Sequence, residues 1–573
     1  MAVQDAIHDL PRVLIDTISG RLLHKQAQAD AFESLPTFNK LISSMTTRID
    51  RAQIQQDVAE YYRYSMFSHK WEASEPLFKD VVDKDVYGLE ESLTHDKLKM
   101  FCKIVRDDGL NWAWSDTCCI NKEDHTVLQE ALVAMFKWYE GSALTVVYLP
   151  DVPLRRLVDS IWNSRAWTLQ EYHASKVVRF YNKDWTLYKG LNILNHKESP
   201  EILVEMEEAT SISSPALVAL RPGLEDIREK LRLASTRQST FVEDAAYSLF
   251  GIFSVSLPAV YGERDQALGR LLAQLLTSSG DTSILAWTGK SGGFNSCLPS
   301  KISVFNQLPT SHIPLLAVSE KTITERSRNS SLNTTSVTRL YDQIDELPVP
   351  SFSGKRMKLP CLTFKLGPLS VTRSRPSQVF RAQTVALGVV EIETEADLSQ
   401  LSLLYLIHPW IDFLLDRQPV GSVLGSLSEN MDNQSSIGQS SSTPRPSVVA
   451  LPAQKKRVLG FASRFGLPFG GRDTSRPHDA ASLRSPSTLA QSDDAASLRP
   501  PSTLAQSDKE ILALQALNRL RQPFGALLLA SSSGNVAAYR RVAPESLITV
   551  QIEEITPTVL DKLIDSVRVL DVL

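Results

Sequence analysis

The chain of 573 residues is too long for one hydrophobic core, and its length points to about three to four domains. With 43% hydrophobic residues, 22% charged residues and a net charge of -4, it has a globular composition without the basic excess that holds nucleic acid or an anionic membrane surface. The opening MAVQDAIHDLPRVL lacks a basic stretch before an apolar run, and no segment approaches the roughly 18 apolar residues of a membrane span, so a cytoplasmic location is expected.

Residues 1–60 read as a lead-in. PRVLIDT and RLLH flank Ser19-Gly20 as in a short hairpin, and Phe38 to Tyr62 carries Leu41, Ile42, Met45, Ile49 and Ile54 near helical spacing. An α/β block follows over 61–198. Tyr62 to His69 (YRYSMFSH) reads as a strand, Asp96 to Asp107 as a helix, and Leu110 to Cys118 (LNWAWSDTC) as the next strand. The helix predicted over Thr126 to Glu140 opens with Thr126 and Gln129 in capping-box spacing, and its apolar face is Leu128, Leu132, Met135, Phe136 and Tyr139. Leu144 to Leu149 is a continuous apolar run, as in a sheet covered on both faces. A helix carrying Trp167 and Glu171 then leads into the strand KVVRFYN. Strands alternating with helices predict a parallel sheet with right-handed crossovers.

Residues 199–298 are helical in pattern, with a second capping box at Thr240 and Glu243 and a leucine-rich helix through Leu268, Leu271, Leu272, Leu275 and Leu276. From 299 to 420 the apolar runs shorten and alternate (LPCLTFKL, AQTVALGVVEIET), which predicts a β-rich domain. Residues 421–508 are dominated by Ser, Pro, Gly, Gln and Arg and hold a tandem 15-residue duplication, DAASLRSPSTLAQSD then DAASLRPPSTLAQSD. Such a stretch cannot bury enough apolar surface to offset its ordering entropy and is expected to be disordered. Over 509–573, PFGALLLAS and SLITVQIEE complete the β-rich domain, which makes the insertion a long loop within it.

Several chemistries are excluded or weakened by what the chain lacks. There is no GxGxxG, GxSxG or HExxH, and Gly289-Lys290-Ser291 has Ile284 where a P-loop needs its first glycine. Five cysteines form no even disulfide framework, and adjacent Cys118 and Cys119 lack the gap of a zinc pair, so no metal is expected. His69, Asp116 and Cys118 sit at the ends of two strands, where a thiol hydrolase using Cys118 and His69 is conceivable; Ser68-His69 and Asp116 equally suit turns and loop anchors. The most telling segment is IWNSRAWTLQE, because Trp167 and Glu171 lie one helical turn apart just after a buried strand, where an α/β sheet places its chemistry. The plain alternative is that Glu171 pairs within its helix and Trp167 fills the core.

Taken together, YRYSMFSHKW, WAWSDTCCINKED, ALVAMFKWYEGSALTVVYLPDV and SRAWTLQEYHASKVVRFYNKDW resemble the fungal heterokaryon-incompatibility (HET) domain over about residues 60 to 185. FVEDAAYSLFGIFSVSLPAVYGERDQALGRLL, DTSILAW, PCLTFKL and RQPFGALLLA are similar to the segments that follow it in mushroom-type fungi. One departure is Lys70-Trp71-Glu72, where the family more often has Trp-Gly. The resemblance implies non-self recognition, with the domain triggering incompatibility-type cell death through protein partners or self-association.

SALTVVYLP followed by SRAWTLQE also resembles the strand and helix of TIR domains, with Thr168 and Tyr172 departing from the plant motif. It implies a TIR-like parallel sheet flanked by helices. It also implies that Glu171 cleaves the nicotinamide-ribose bond of NAD, with Phe67, Ser68, His69, Trp71, Asp116 and Trp167 around the substrate. NAD is then a substrate, and no resident cofactor is called for. Two readings stand side by side: a signalling module that works by contact, and a TIR-like NAD hydrolase.

Overall fold

A computed structural model describes residues 2–36, 38–40, 51–152, 154–307, 332–373, 378–401, 403–410, 506–531 and 538–573. The insertion and its tandem duplication lie outside the described residues up to 505, as do 41–50 of the early amphipathic helix; the helix Gln506–Leu520 already includes the last residues assigned to the insertion.

The first sheet is built from β1 (Val13–Asp16), β2 (Leu22–His24), β3 (Tyr64–His69), β4 (Trp112–Ser115), β5 (Leu144–Tyr148) and β6 (Val178–Tyr181). Its order is β2-β1-β4-β3-β5-β6. The four strands from β3 to β6 are mutually parallel, and among themselves they run second, first, third, fourth. The chain therefore reverses its direction of travel across the sheet between β3 and β5, and the crevice outside their carboxyl ends is the topological switch point. The early hairpin is more than a lead-in: β1 pairs antiparallel with β4 through Ile15 and Ala113 and extends the sheet. Gly20 closes that hairpin at φ +73, and a Cβ there would meet the Tyr87 ring at 2.8 Å.

Every residue of β3, β4 and β5 is buried, because helices cover both faces. On one face the helix Leu93–Asp107 turns Leu98, Phe101, Cys102 and Val105 inward, and Phe101 stacks on Phe67 at 4.4 Å. Burying one such side chain contributes about 1.5–3 kcal/mol. On the other face the helix His125–Gly141 sets Trp138 and Tyr139 against Trp114 at 5.7 and 6.2 Å.

Both capping boxes read from the sequence are replaced. Asp124 caps the helix His125–Gly141 by accepting from the N–H groups of Thr126 and Val127 at 2.9 and 3.2 Å. Gln129 turns away and accepts from Ala259 N–H at 2.8 Å. Likewise Glu243 accepts from Gly262 and Arg264 N–H at 2.8 and 2.9 Å, pinning a distant turn. In both places a tertiary partner outcompetes the local pattern.

The following helices include Pro200–Thr210, Ile227–Ser235 and Gln266–Ser279, the last with its leucines buried and Gly280 at φ +71 ending it. The β-rich part consists of β7 (Ser351–Ser353), β8 (Arg356–Lys365), β9 (Ser370–Arg373), β10 (Gln378–Thr384), β11 (Gly388–Thr394), β12 (Leu403–Pro409), β13 (Phe524–Ser531), β14 (Arg540–Val542), β15 (Ile548–Val550) and β16 (Val567–Val572). Strands from either side of the insertion share one sheet: β12 pairs with β13, and β16 with β8. Arg541 ties this sheet to the helices, donating to Leu285 O at 2.9 Å and lying 3.8 Å over the Trp287 ring. Among the described residues, no helix is long and apolar enough to cross a membrane.

Candidate functional site

β3 delivers Phe67, Ser68 and His69 to the switch point, and strand alternation sends Ser68 to the face opposite its neighbours. There the Ser68 hydroxyl donates to the Glu171 carboxylate, while Trp162 Nε1 donates to the same hydroxyl at 2.7 Å. Ser68 is 1% exposed, Trp162 0% and Glu171 6%, so the chain indole–hydroxyl–carboxylate is enclosed. Burial pushes the Glu171 carboxyl up to about 7; Arg165, Ser68 and Arg237 pull against it, and Asp116 adds to it.

Glu171 belongs to an eight-residue helix, Trp167–Ala174, too short to stand without tertiary support. The support comes from later in the chain. Arg237 donates to Arg165 O at 3.0 Å, Thr168 Oγ1 at 2.9 Å and Asn163 Oδ1 at 3.2 Å. Beside it, Ala166 N–H donates to Gln238 O at 2.8 Å, and Gln238 N–H to Ser164 O at 2.7 Å. Burial lowers the Arg237 pKa to about 10, with Glu171 opposing that fall. At the other end Lys197 donates to Tyr172 O and Ser175 O at 2.9 and 2.8 Å, a cation where the helix dipole favours one.

The structure brings some of the expected residues together and separates others. Ser68 meets Glu171. Trp167 is half-buried and hydrogen-bonds Asp244, whereas the indole joined to the Glu171 carboxylate through Ser68 belongs to Trp162. Trp71 Nε1 donates to Asp116 Oδ2 at 2.8 Å, with Lys122 Nζ 3.7 Å from the Trp71 ring; the three lock the loops after β3 and β4. His69 stacks on Phe67 at 4.2 Å, and its Nε2 faces Glu75 Oε2 at 3.7 Å. Glu75 is in turn ion-paired with the buried Lys97. Burial works to raise the Glu75 carboxyl, but His69 and Lys97 outweigh it and leave it at about 2. Burial, then Lys97, lowers the pKa of His69, with Glu75 and Asp116 opposing.

Cys118 is 0% exposed and sits in a buried thiol cluster with Cys102 and Cys119, whose pKa values burial raises. The His69 ring is directed at Glu75, which is not the alignment a Cys118 nucleophile requires. A cavity of about 490 Å³ opens at the amino end of β3, lined by Tyr64, Lys25, Glu130, Lys137 and Trp138, away from these residues.

Trp162, Arg165 and Arg237 were not singled out by the sequence. The only signal for Trp162 was its place in the same IWNSRAWTLQE segment, and Arg237 carried none.

The comparisons with known proteins agree with one another. The chain is 33% identical over 223 residues to the vegetative incompatibility protein HET-E-1 of Podospora anserina, a match covering 36% of this chain and 16% of that protein. The chain thus spans about a sixth of the length of the curated relative it matches. No solved structure matches it significantly. Residues 64–153, the stretch from the start of β3 to just beyond β5 that holds Ser68, His69, Trp71 and Asp116 but stops short of Glu171, match the family described as heterokaryon incompatibility protein (HET).

Proposed function

We propose that this chain serves fungal heterokaryon incompatibility as a signalling protein that works by contact, through self-association or a protein partner, to trigger a cell-death response in the cytoplasm. The observation that carries this reading is the enclosure of Glu171. Its carboxylate is 6% exposed and bound by Ser68, and the helix that carries it is clamped by Arg237 and Lys197. A carboxylate so placed acts first as a keystone between β3 and the helix Trp167–Ala174, setting the shape of the surface above it. The test is expression of the full chain in a fungal host, alongside Glu171→Gln, with folding checked by circular dichroism. Death that survives the substitution supports contact signalling; death lost in a variant with an intact fold removes it.

One observation favours a second reading, TIR-like cleavage of the nicotinamide-ribose bond of NAD. Glu171 lies at the carboxyl ends of β3 and β5, with its proton affinity raised to about 7. Bond cleavage builds an oxocarbenium-like centre on the ribose, which a nearby carboxylate stabilises. Incubating the assembled protein with NAD tests it: loss of NAD that disappears in Glu171→Gln supports cleavage, and no loss in the parent chain removes it.

A further inference from the structure

The opposite face of the same carboxyl end carries a row of rings, of which the NAD reading uses only Phe67 and His69. His69, Tyr148 and Tyr181 close β3, β5 and β6 in adjacent register, so their side chains stand side by side. Trp185, in the turn after β6, stacks on Tyr148 with centroids 4.5 Å apart and planes inclined by 24°. It also reaches Tyr181 at 6.1 Å and Phe67 at 6.2 Å. The turn is firm: Trp185 N–H donates to Asn182 O at 2.9 Å, and Asn182 N–H to Thr186 O at 2.9 Å. The Tyr148 hydroxyl donates to Lys183 O at 3.1 Å, which anchors that turn to β5.

The φ of +64 at Trp185 belongs to the tight turn between Tyr181 and Leu187, which holds the indole over Tyr148. One feature of this row is not accounted for by packing. His69 is 3% exposed; its Nε2 is directed at Glu75, but its Nδ1 has no hydrogen-bond partner. With Nε2 turned to Glu75, the second ring nitrogen is left unmade in a buried site, which is costly. His69 ends β3 beside β5, the strands that flank the switch point where doubly wound sheets take ligands.

The geometry points to a binding slot for a planar heteroaromatic ring that carries a hydrogen-bond donor and acceptor on one edge, as a nucleobase or a pyridine carboxamide does. Trp185 lifts from Tyr148, the incoming ring stacks between them, and its polar edge satisfies His69 Nδ1. Contact with the slot then couples a small molecule to β3 and, through Ser68 on the reverse face, to Glu171. The slot does not depend on the chemistry of Glu171. It would deepen the NAD reading, since both rings of that molecule are of this kind.

The test uses the full chain with adenosine and nicotinamide as probes, read by ligand-observed saturation-transfer NMR and titration calorimetry. At least one probe is expected to bind, and the choice between them identifies the ring class. Trp185→Ala, at a half-buried turn position, should weaken binding roughly tenfold by removing one stacking wall. His69→Leu should abolish binding and His69→Gln restore part of it, with thermal unfolding as the control for folding. Absence of saturation transfer from both probes at millimolar concentration, or unchanged affinity in Trp185→Ala, overturns the proposal. Binding to both the parent chain and Glu171→Gln without NAD loss keeps the slot and removes the cleavage reading. NAD loss with affinity indifferent to Trp185 does the reverse.

Discussion

Arg237 donates to Thr168 Oγ1 at 2.9 Å, joining residues 69 positions apart and fixing the first turn of the helix that carries Glu171. The guanidinium also holds Arg165 O and Asn163 Oδ1, so its fork braces the whole turn from 163 to 168. The helical segment beyond the parallel sheet in sequence is therefore part of the site in space.

Arg237→Ala should destabilise the protein by about 3 kcal/mol, because it strands buried acceptors and removes one of the two cations that compensate Glu171. Arg237→Lys should recover only part of this, since a single ammonium cannot span the same acceptors. Urea unfolding of the variants checks it, and hydrogen exchange should quicken first in residues 163–174.

Glu171 makes stability fall as pH rises. Its carboxyl is lifted from 4.5 to about 7 in the fold, so between those values the native state holds a proton that the unfolded chain has lost. The resulting cost is absent below about 4.5, grows toward pH 7 and is complete above it, on the order of 3 kcal/mol. Glu171→Gln should therefore be at its most favourable relative to the parent chain at pH 8 and lose that advantage by pH 4. Chemical denaturation across this range decides it; parallel curves would show that Glu171 titrates normally.

Glu75 behaves in the opposite sense. Held at about 2 beside Lys97 and His69, it contributes stability above 4.5 that is lost as pH falls toward 2. Breaking the buried pair with Lys97→Met should cost about 3–5 kcal/mol, and the double variant Lys97→Met, Glu75→Leu should regain much of it. A double-mutant cycle measured by urea unfolding gives the coupling directly.

The two tryptophans near Glu171 should separate cleanly. Trp162→Phe removes the N–H that donates to Ser68 at 2.7 Å and should cost about 1–3 kcal/mol while altering the Glu171 titration. Trp167→Phe should leave that titration unchanged and act instead on Asp244, which Trp167 hydrogen-bonds. Infrared titration of the buried carboxyl groups distinguishes them; equal effects on Glu171 would count against the assignment of Trp162.

Much of the scaffold was legible from local pattern. The run SALTVVYLP reads as a strand buried on both faces, and β5 is buried throughout. Leu98, Phe101, Cys102 and Val105 mark one helical face, and that face packs on β3. The pairing of β12 with β13 across the insertion follows the expectation that late strands complete an earlier sheet. Glu171 itself was picked out by its place after a buried strand. The capping boxes at Thr126 and Glu243 misled because spacing shows only which bonds a side chain can make nearby, and stronger partners lay elsewhere in the fold.

By itself, then, the amino-acid order determined the strands β3 to β6, the apolar faces of the helices that cover them and the neighbourhood of one acidic residue, since these follow from periodicities of two and 3.6 residues. Only the tertiary structure decided that Trp162 and not Trp167 joins Glu171 through Ser68, that Arg237 braces the helix, and that His69 looks toward Glu75. Those choices depend on which distant groups burial forces together, because a polar atom removed from water takes whatever partner the packing leaves within reach.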